Sequence, residues 1–194
     1  GSRPIINKNN DVVEWARESD HPLVYTVYES IPNAISLDDA CLTMEIGDFL
    51  SYYLQILLAL LISENLFSFT HNDLHTENIL LRDYGEGNYI RYQIPGGNTY
   101  YVWNNGKIPT IIDYGYSYME SNGKSMPNYR FNLESHGMLK NRSNFFYDAF
   151  KLLGFIMYGI NTQQQKKLFP LIRYFFPYDD PENVIKYGRG NGVL

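Results

Sequence analysis

Apolar residues return at three- and four-residue steps through the middle of the chain: Ile46, Phe49, Leu50, Tyr53, Leu54, Leu57, Leu58 and Leu61. That spacing predicts a helix from about Glu45 to Asn65 with one apolar face. Leu60 and Ile62 carry the apolar surface further round, which predicts deep burial. Upstream, Ser36 with Asp39 three positions on reads as a helix start close to a capping box. Leu23 to Glu29, rich in β-branched and aromatic residues, predicts a strand that Ser30-Ile31-Pro32-Asn33 stops. Residues Arg3 to Pro22 are polar with few apolar positions, and two readings stay open: a short helix capped by Asp11, or a partly ordered leader. Gly1-Ser2 reads as a cloning remnant.

Downstream, Ile79 to Arg82 predicts a strand ending at Asp83-Tyr84-Gly85-Glu86-Gly87-Asn88. Tyr89 to Ile94 and Thr99 to Trp103 alternate like strands, with turn signals at Pro95-Gly96-Gly97-Asn98 and Asn104-Asn105-Gly106. Together they predict an inserted hairpin over about 83–108, with Trp103 as a packing residue. Tyr116 to Asn144 is polar and broken by Gly, Ser, Asn and Pro. Phe145 to Ile160 predicts an apolar helix, and Gln163 to Phe176 a last helix interrupted by Pro170. The glycine-rich end from Gly188 reads as frayed.

A chain of 194 residues is long enough for one well-packed domain. Its net charge of -5 and the lack of any long basic run argue against nucleic acid as the main partner. The longest uninterrupted apolar run, Ile56 to Ile62, is too short to span a bilayer, so no membrane partner is expected. Cys41 is the single cysteine, which excludes an intrachain disulfide and points to a reducing, intracellular (cytoplasmic) setting. It reads as a buried structural thiol. Plentiful Asn, Ile, Tyr, Phe and Lys fit an AT-rich genome, such as that of a large DNA virus, a protist or an AT-rich bacterium; for a virus the setting becomes the host cytoplasm. His21 and His136 show no metal-ligand spacing.

Two stretches carry chemistry. Thr70-His71-Asn72-Asp73-Leu74-His75-Thr76-Glu77-Asn78 runs straight into the apolar Ile79-Leu80-Leu81, and Ile111-Ile112 leads into Asp113-Tyr114-Gly115. If the two apolar segments pair, Asn78 and Asp113 converge and Asp73 stands beside them. Oxygens from Asn78 and Asp113, completed by phosphate and water, suit a hard cation such as magnesium. Asp73 is then free to orient a hydroxyl and accept its proton.

These segments resemble the catalytic loop and metal-binding motif of the protein kinase-like superfamily, H-R-D-x-x-x-x-N and D-F-G. The resemblance implies Asp73 as catalytic base, Asn78 and Asp113 as metal ligands, and His71 as a residue supporting the loop. It also implies ATP and Mg2+ as cofactors, with Gly115 completing the second motif. Asn72 stands where the arginine would be, so docking of a phosphorylated activation loop is not expected there. His75 stands where many protein kinases carry lysine, a form similar to haspin-type kinases and small-molecule phosphotransferases; it joins Asp73 as a candidate catalytic residue. Tyr114 replaces phenylalanine and adds a hydroxyl that needs a partner. Asp148 fits the aspartate that receives hydrogen bonds from the catalytic-loop backbone, and a helix N-terminal acid favoured by the macrodipole explains it equally well. By position, Glu29 to Asn33 becomes the hinge meeting adenine, with Glu29 and Ile31 as nucleotide contacts.

The fold implied is α+β, mainly α-helical: a kinase-like large (C-terminal) lobe over 23–194 with small β-hairpins at the cleft. Residues 1–22 are then a leader or tag remnant and the end of a small lobe. A glycine-rich loop, a strand lysine and its helix glutamate are not found, so the resemblance covers Leu23 to Phe176. The function implied is an ATP- and magnesium-dependent phosphotransferase, a Ser/Thr protein kinase first of all, with this lobe inactive by itself. A small-molecule phosphotransferase and a non-catalytic binding module remain open alternatives. Expected partners are a protein substrate, a small lobe, or a second copy covering the open cleft face.

Overall fold

The computed structural model describes residues 3–6, 12–16, 29–126 and 143–175. The chain divides into two units, Gly1–Ile31 and Pro32–Leu194. In the first, β1 (Arg3–Ile6) pairs antiparallel with β2 (Val12–Ala16). The short helix considered for this stretch is therefore corrected to a strand, in keeping with the β-branched pair Val12-Val13 and the aromatic Trp15. Most of the predicted strand from Leu23, His21, His136 and the glycine-rich end lie outside the described residues.

The second unit is α+β. A short strand β3 (Ile35–Ser36) leads into helix α1 (Leu37–Cys41), where the Ser36 hydroxyl accepts the Asp39 N–H at 3.0 Å as N-cap. Cys41 is buried and free, and burial pushes its thiol up to about 12, so it is a packing residue. Helix α2 (Ile46–Phe67) follows and stops at Ser68, a left-handed residue whose N–H returns to the Glu64 carbonyl. The apolar run noticed in the sequence is only its middle; by length and composition the whole helix would reach across a membrane.

Both flanks of α2 are used inside this unit. One meets α1, α3 (Phe145–Gly159) and α4 (Thr162–Phe175) in the main core, where Phe49, Ile56 and Leu60 pack with Leu152, Leu153, Ile156 and Leu168. Buried Tyr53 adds a hydrogen bond to the Ala149 carbonyl at 2.8 Å. The other flank carries a long antiparallel hairpin, β4 (Ile79–Gln93) and β5 (Thr99–Ile111). Ile94 and Val102 cover Leu58, and Tyr92 reaches the buried Gln55 side chain at 3.1 Å. The helix face predicted from spacing is thus partly wrong: Leu50 and Leu54 are exposed, while Tyr52 and Gln55 are buried. A helix apolar nearly all round does not reveal its inner face by period alone.

The hairpin also differs from the expected insertion. It is a direct continuation of the two strands that leave the candidate site, paired from Ile79–Ile111 out to Gln93–Thr99. Only Pro95–Asn98 turns the chain. Asp83–Asn88 and Asn104–Gly106 stay paired, with register shifts between Asp83 and Gly85 and between Glu86 and Asn88. Gly85, Gly87 and Gly106 take positive φ there, so the glycines serve bulges rather than turns. Trp103 is half exposed and packs edge-on against Tyr89 across the strands. Beyond the site, β6 (Met119–Ser121) and β7 (Lys124–Met126) form a small hairpin. Pro170 sits inside α4 without ending it, which corrects the expected interruption.

Candidate active site

The loop after α2 is held from three sides. Thr70 pairs with Tyr118 through both backbone hydrogen bonds, at 3.0 and 2.8 Å. The next two amides point at one buried carboxylate: Asp148 of α3 accepts the His71 N–H at 2.5 Å and the Asn72 N–H at 2.9 Å. Burial pushes the Asp148 carboxyl up to about 7, against the pull of those two amides and of Lys151. Thr76 ties the far end of the loop to α1 through Asp38 at 2.6 Å.

His71 is fully buried and joins the two motif segments. Its Nε2 lies 3.0 Å from the Ile112 carbonyl, and its Nδ1 accepts the Asp73 N–H at 3.3 Å. With one nitrogen facing a carbonyl and the other facing an amide, the ring is the neutral Nε2–H tautomer. Burial lowers its pKa, outweighing the Ile112 bond and the charges of Asp73 and Asp113. Tyr114 packs on the rings of Phe69 and His71 and gives its hydroxyl proton to the Ile111 carbonyl at 2.8 Å. The extra hydroxyl therefore has its partner.

Asp73 is partly accessible, with its side chain 27% exposed. One oxygen, Oδ1, lies 2.8 Å from the ammonium of Lys151. The other, Oδ2, stands 3.8 Å from Nε2 of His75. The His75 ring rests against Phe155, and its Nδ1 lies 3.8 Å from Glu77.

Asn78 closes a 3-10 turn, Thr76–Asn78, and gives an amide proton to the Asp73 carbonyl at 2.9 Å. An acceptor at that distance identifies the nitrogen and leaves the amide oxygen as the end offered to a cation. The Asn78 carbonyl accepts the Ile112 N–H at 3.0 Å, so Asp113 follows one residue after the contact between the two segments. Asp113 is exposed, holds a left-handed backbone with φ of 60°, and accepts the Gly115 N–H at 3.2 Å. A Cβ at Gly115 would come within 3.1 Å of that carboxylate. Among the described residues no group of three His, Cys, Asp or Glu side chains could hold a metal. Asn78 and Asp113 supply oxygen donors alone, which fits a hard cation that draws its other ligands from phosphate and water. Glu29 and Ile31 fall in the first unit, so they are not among the residues this unit brings together.

Lys151 is the functional candidate that sequence reasoning missed. Its position three residues after Asp148, on the same face of one helix, was the available signal.

Over 121 residues, 62% of its length, the chain is 33% identical to a protein named probable kinase 098L of Invertebrate iridescent virus 3. Over 68 residues it is also 35% identical to an uncharacterized protein, 098R, of Invertebrate iridescent virus 6. The chain spans about a fifth of the first relative's length and about a ninth of the second's. No protein-family model matches it.

Proposed function

We propose that the second unit is the large lobe of a kinase-like phosphotransferase that moves the γ-phosphoryl group of ATP to a Ser or Thr hydroxyl of a protein. The reading rests above all on the lock between segments 41 residues apart, in which His71 binds the Ile112 carbonyl while Ile112 binds the Asn78 carbonyl. That lock sets the Asp73–Asn78 loop beside the Asp113–Gly115 turn, as phosphoryl transfer by positioning requires. Asp73 then orients the substrate hydroxyl and takes its proton on Oδ2. Asn78 and Asp113 hold magnesium, whose charge offsets that of the phosphates. His71 and Asp148 keep the loop backbone in place, and His75 borders the hydroxyl's approach to Asp73.

The test uses the full-length protein with labelled ATP and magnesium, offered protein substrates in one arm and sugars, choline or an aminoglycoside in the other. Label on Ser or Thr, lost by about 10²–10⁴-fold in Asp73→Asn, is the expected result. Label on a small molecule alone would reassign the acceptor. Failure to bind Mg-ATP by calorimetry would overturn the catalytic reading in favour of a binding module.

A further inference from the structure

A buried lysine next to the candidate base is the observation with the most unexplained chemistry. Lys151 is only 8% exposed, and lysine is rarely buried unless its charge is matched. Its ammonium meets Asp73 Oδ1 at 2.8 Å and the Asn72 carbonyl at 3.2 Å, and lies 5.8 Å from the centre of the Tyr147 ring. Asp148, three residues back, is the second carboxylate acting on it. The stem belongs to α3 and is flanked by Leu152 and Leu153, both fully buried in the core. The charge is therefore anchored by a helix of the buried core, 78 residues away in sequence from the carboxylate it holds.

We propose that Lys151 is a positioning residue, which clamps Oδ1 of Asp73 so that Oδ2 alone faces the substrate hydroxyl. This rests on the reading of Asp73 as the base. In the step so arranged, the hydroxyl oxygen bonds to the γ-phosphorus and the bond from that phosphorus to the bridging oxygen of ADP breaks. The hydroxyl proton passes to Oδ2, and ADP departs with the bond's electron pair. A carboxylate free to swing about its χ angles would meet the hydroxyl in few of its rotamers, and a small misplacement at the reacting atoms is costly in rate. A helix-borne ammonium removes that freedom without occupying the oxygen that must react. It also spans the loop backbone through the Asn72 carbonyl, so base and loop move as one piece.

The experiment compares Lys151→Met, Lys151→Arg, Asp73→Asn and the Asp73→Asn/Lys151→Met double variant of the full-length protein, each checked for an unchanged unfolding transition. Expected for Lys151→Met is a kcat lower by about 10–100-fold with the KM for ATP within about twofold, and partial rescue in Lys151→Arg. The double variant should be no slower than Asp73→Asn alone, because a residue acting only through the carboxylate has nothing left to act on. Should Lys151→Met not fold, Lys151→Gln replaces it with the same expected split. A full kcat in either neutral variant, beside a dead Asp73→Asn, overturns the role of Lys151 and leaves the base assignment standing. Equal losses in both backgrounds reduce Lys151 to a structural residue and overturn it too. No loss in Asp73→Asn, or no ATP turnover by the unsubstituted protein, overturns the base assignment and this inference with it.

Discussion

Asp148 accepts the backbone N–H of His71 at 2.5 Å across 77 positions of sequence, with its second oxygen on the neighbouring amide of Asn72. Neither amide has a strand or helix to serve, so one carboxylate replaces the regular backbone pairing that a buried loop lacks. Asp148→Ala orphans both donors and should lower unfolding stability by about 2–5 kcal/mol, the cost of two buried amides without acceptors. Asp148→Asn keeps one acceptor and should lose less. Denaturant titration of the two variants checks the order. Equal stabilities would mean that the loop finds other acceptors.

Asp148 and His71 should pull stability in opposite directions with pH. The Asp148 carboxyl rises from 3.8 to about 7 by burial, so between those values the native state holds the proton that the unfolded chain releases. Its contribution is complete below 3.8 and is lost as pH rises through 7. The His71 pKa falls below 6.5, again by burial, so its contribution is complete above 6.5 and is lost on acidification through the lowered native value. Melting temperatures from pH 5 to 8 should therefore lose their alkaline-side decline in Asp148→Asn and their acid-side decline in His71→Gln. A wild-type profile whose slopes survive both substitutions would assign them to other groups.

Much of the frame was readable from residues alone. The three- and four-residue spacing found α2, and Ser36 with Asp39 marked the start of α1 because cap chemistry is local. What escaped depended on partners far away. Leu50 and Leu54 look as buried as Ile56 until the hairpin and α3 claim the two flanks of the helix. Gly85, Gly87 and Gly106 signal a turn or a bulge alike, and only the opposite strand decides between them. Lys151 on an apolar helix reads as a solvated position, since the carboxylate that buries it lies 78 residues earlier. Of the site, His71 meets Asp148 through its backbone N–H and the Ile112 carbonyl through its ring, while Glu29 and Ile31 rested on position alone and lie in the other unit.

Asn104 should control whether the hairpin stays long. It is fully buried, gives amide protons to the Tyr84 and Gly85 carbonyls at 3.3 and 2.5 Å, and accepts the Gly106 N–H at 3.1 Å. These backbone groups lie beside the register shift between Asp83 and Gly85, which the Asn104 side chain bridges. Asn104→Ala should cost about 1–3 kcal/mol. Asn104→Asp, which has acceptors only and faces two carbonyls, should cost at least as much at neutral pH. Amide exchange should quicken along Tyr89–Gln93 while the Ile79–Ile111 end stays protected. Uniform quickening over both ends would show that the hairpin opens as one unit and that Asn104 is no local pin.

Asn72 separates backbone strain from side-chain bonding at the loop's tightest point. Its φ of 66° lies in the left-handed region, its side chain is buried, and its amide donates to the Tyr116 carbonyl at 3.0 Å. Asparagine tolerates that backbone better than most residues, which is a physical reason for it to stand there. Asn72→Gly relieves the φ but drops the bond to Tyr116; Asn72→Ala drops the bond and keeps the strain. The glycine variant should lose about 1 kcal/mol and the alanine variant about 1–2 kcal/mol more, the cost of a non-glycine residue at positive φ. Chemical denaturation measures both. Because Asn72 also presents its carbonyl to Lys151, the alanine variant should slow phosphoryl transfer more than the glycine variant. Equal stability in the two would mean that the loop relaxes out of the left-handed region once the Tyr116 bond is gone.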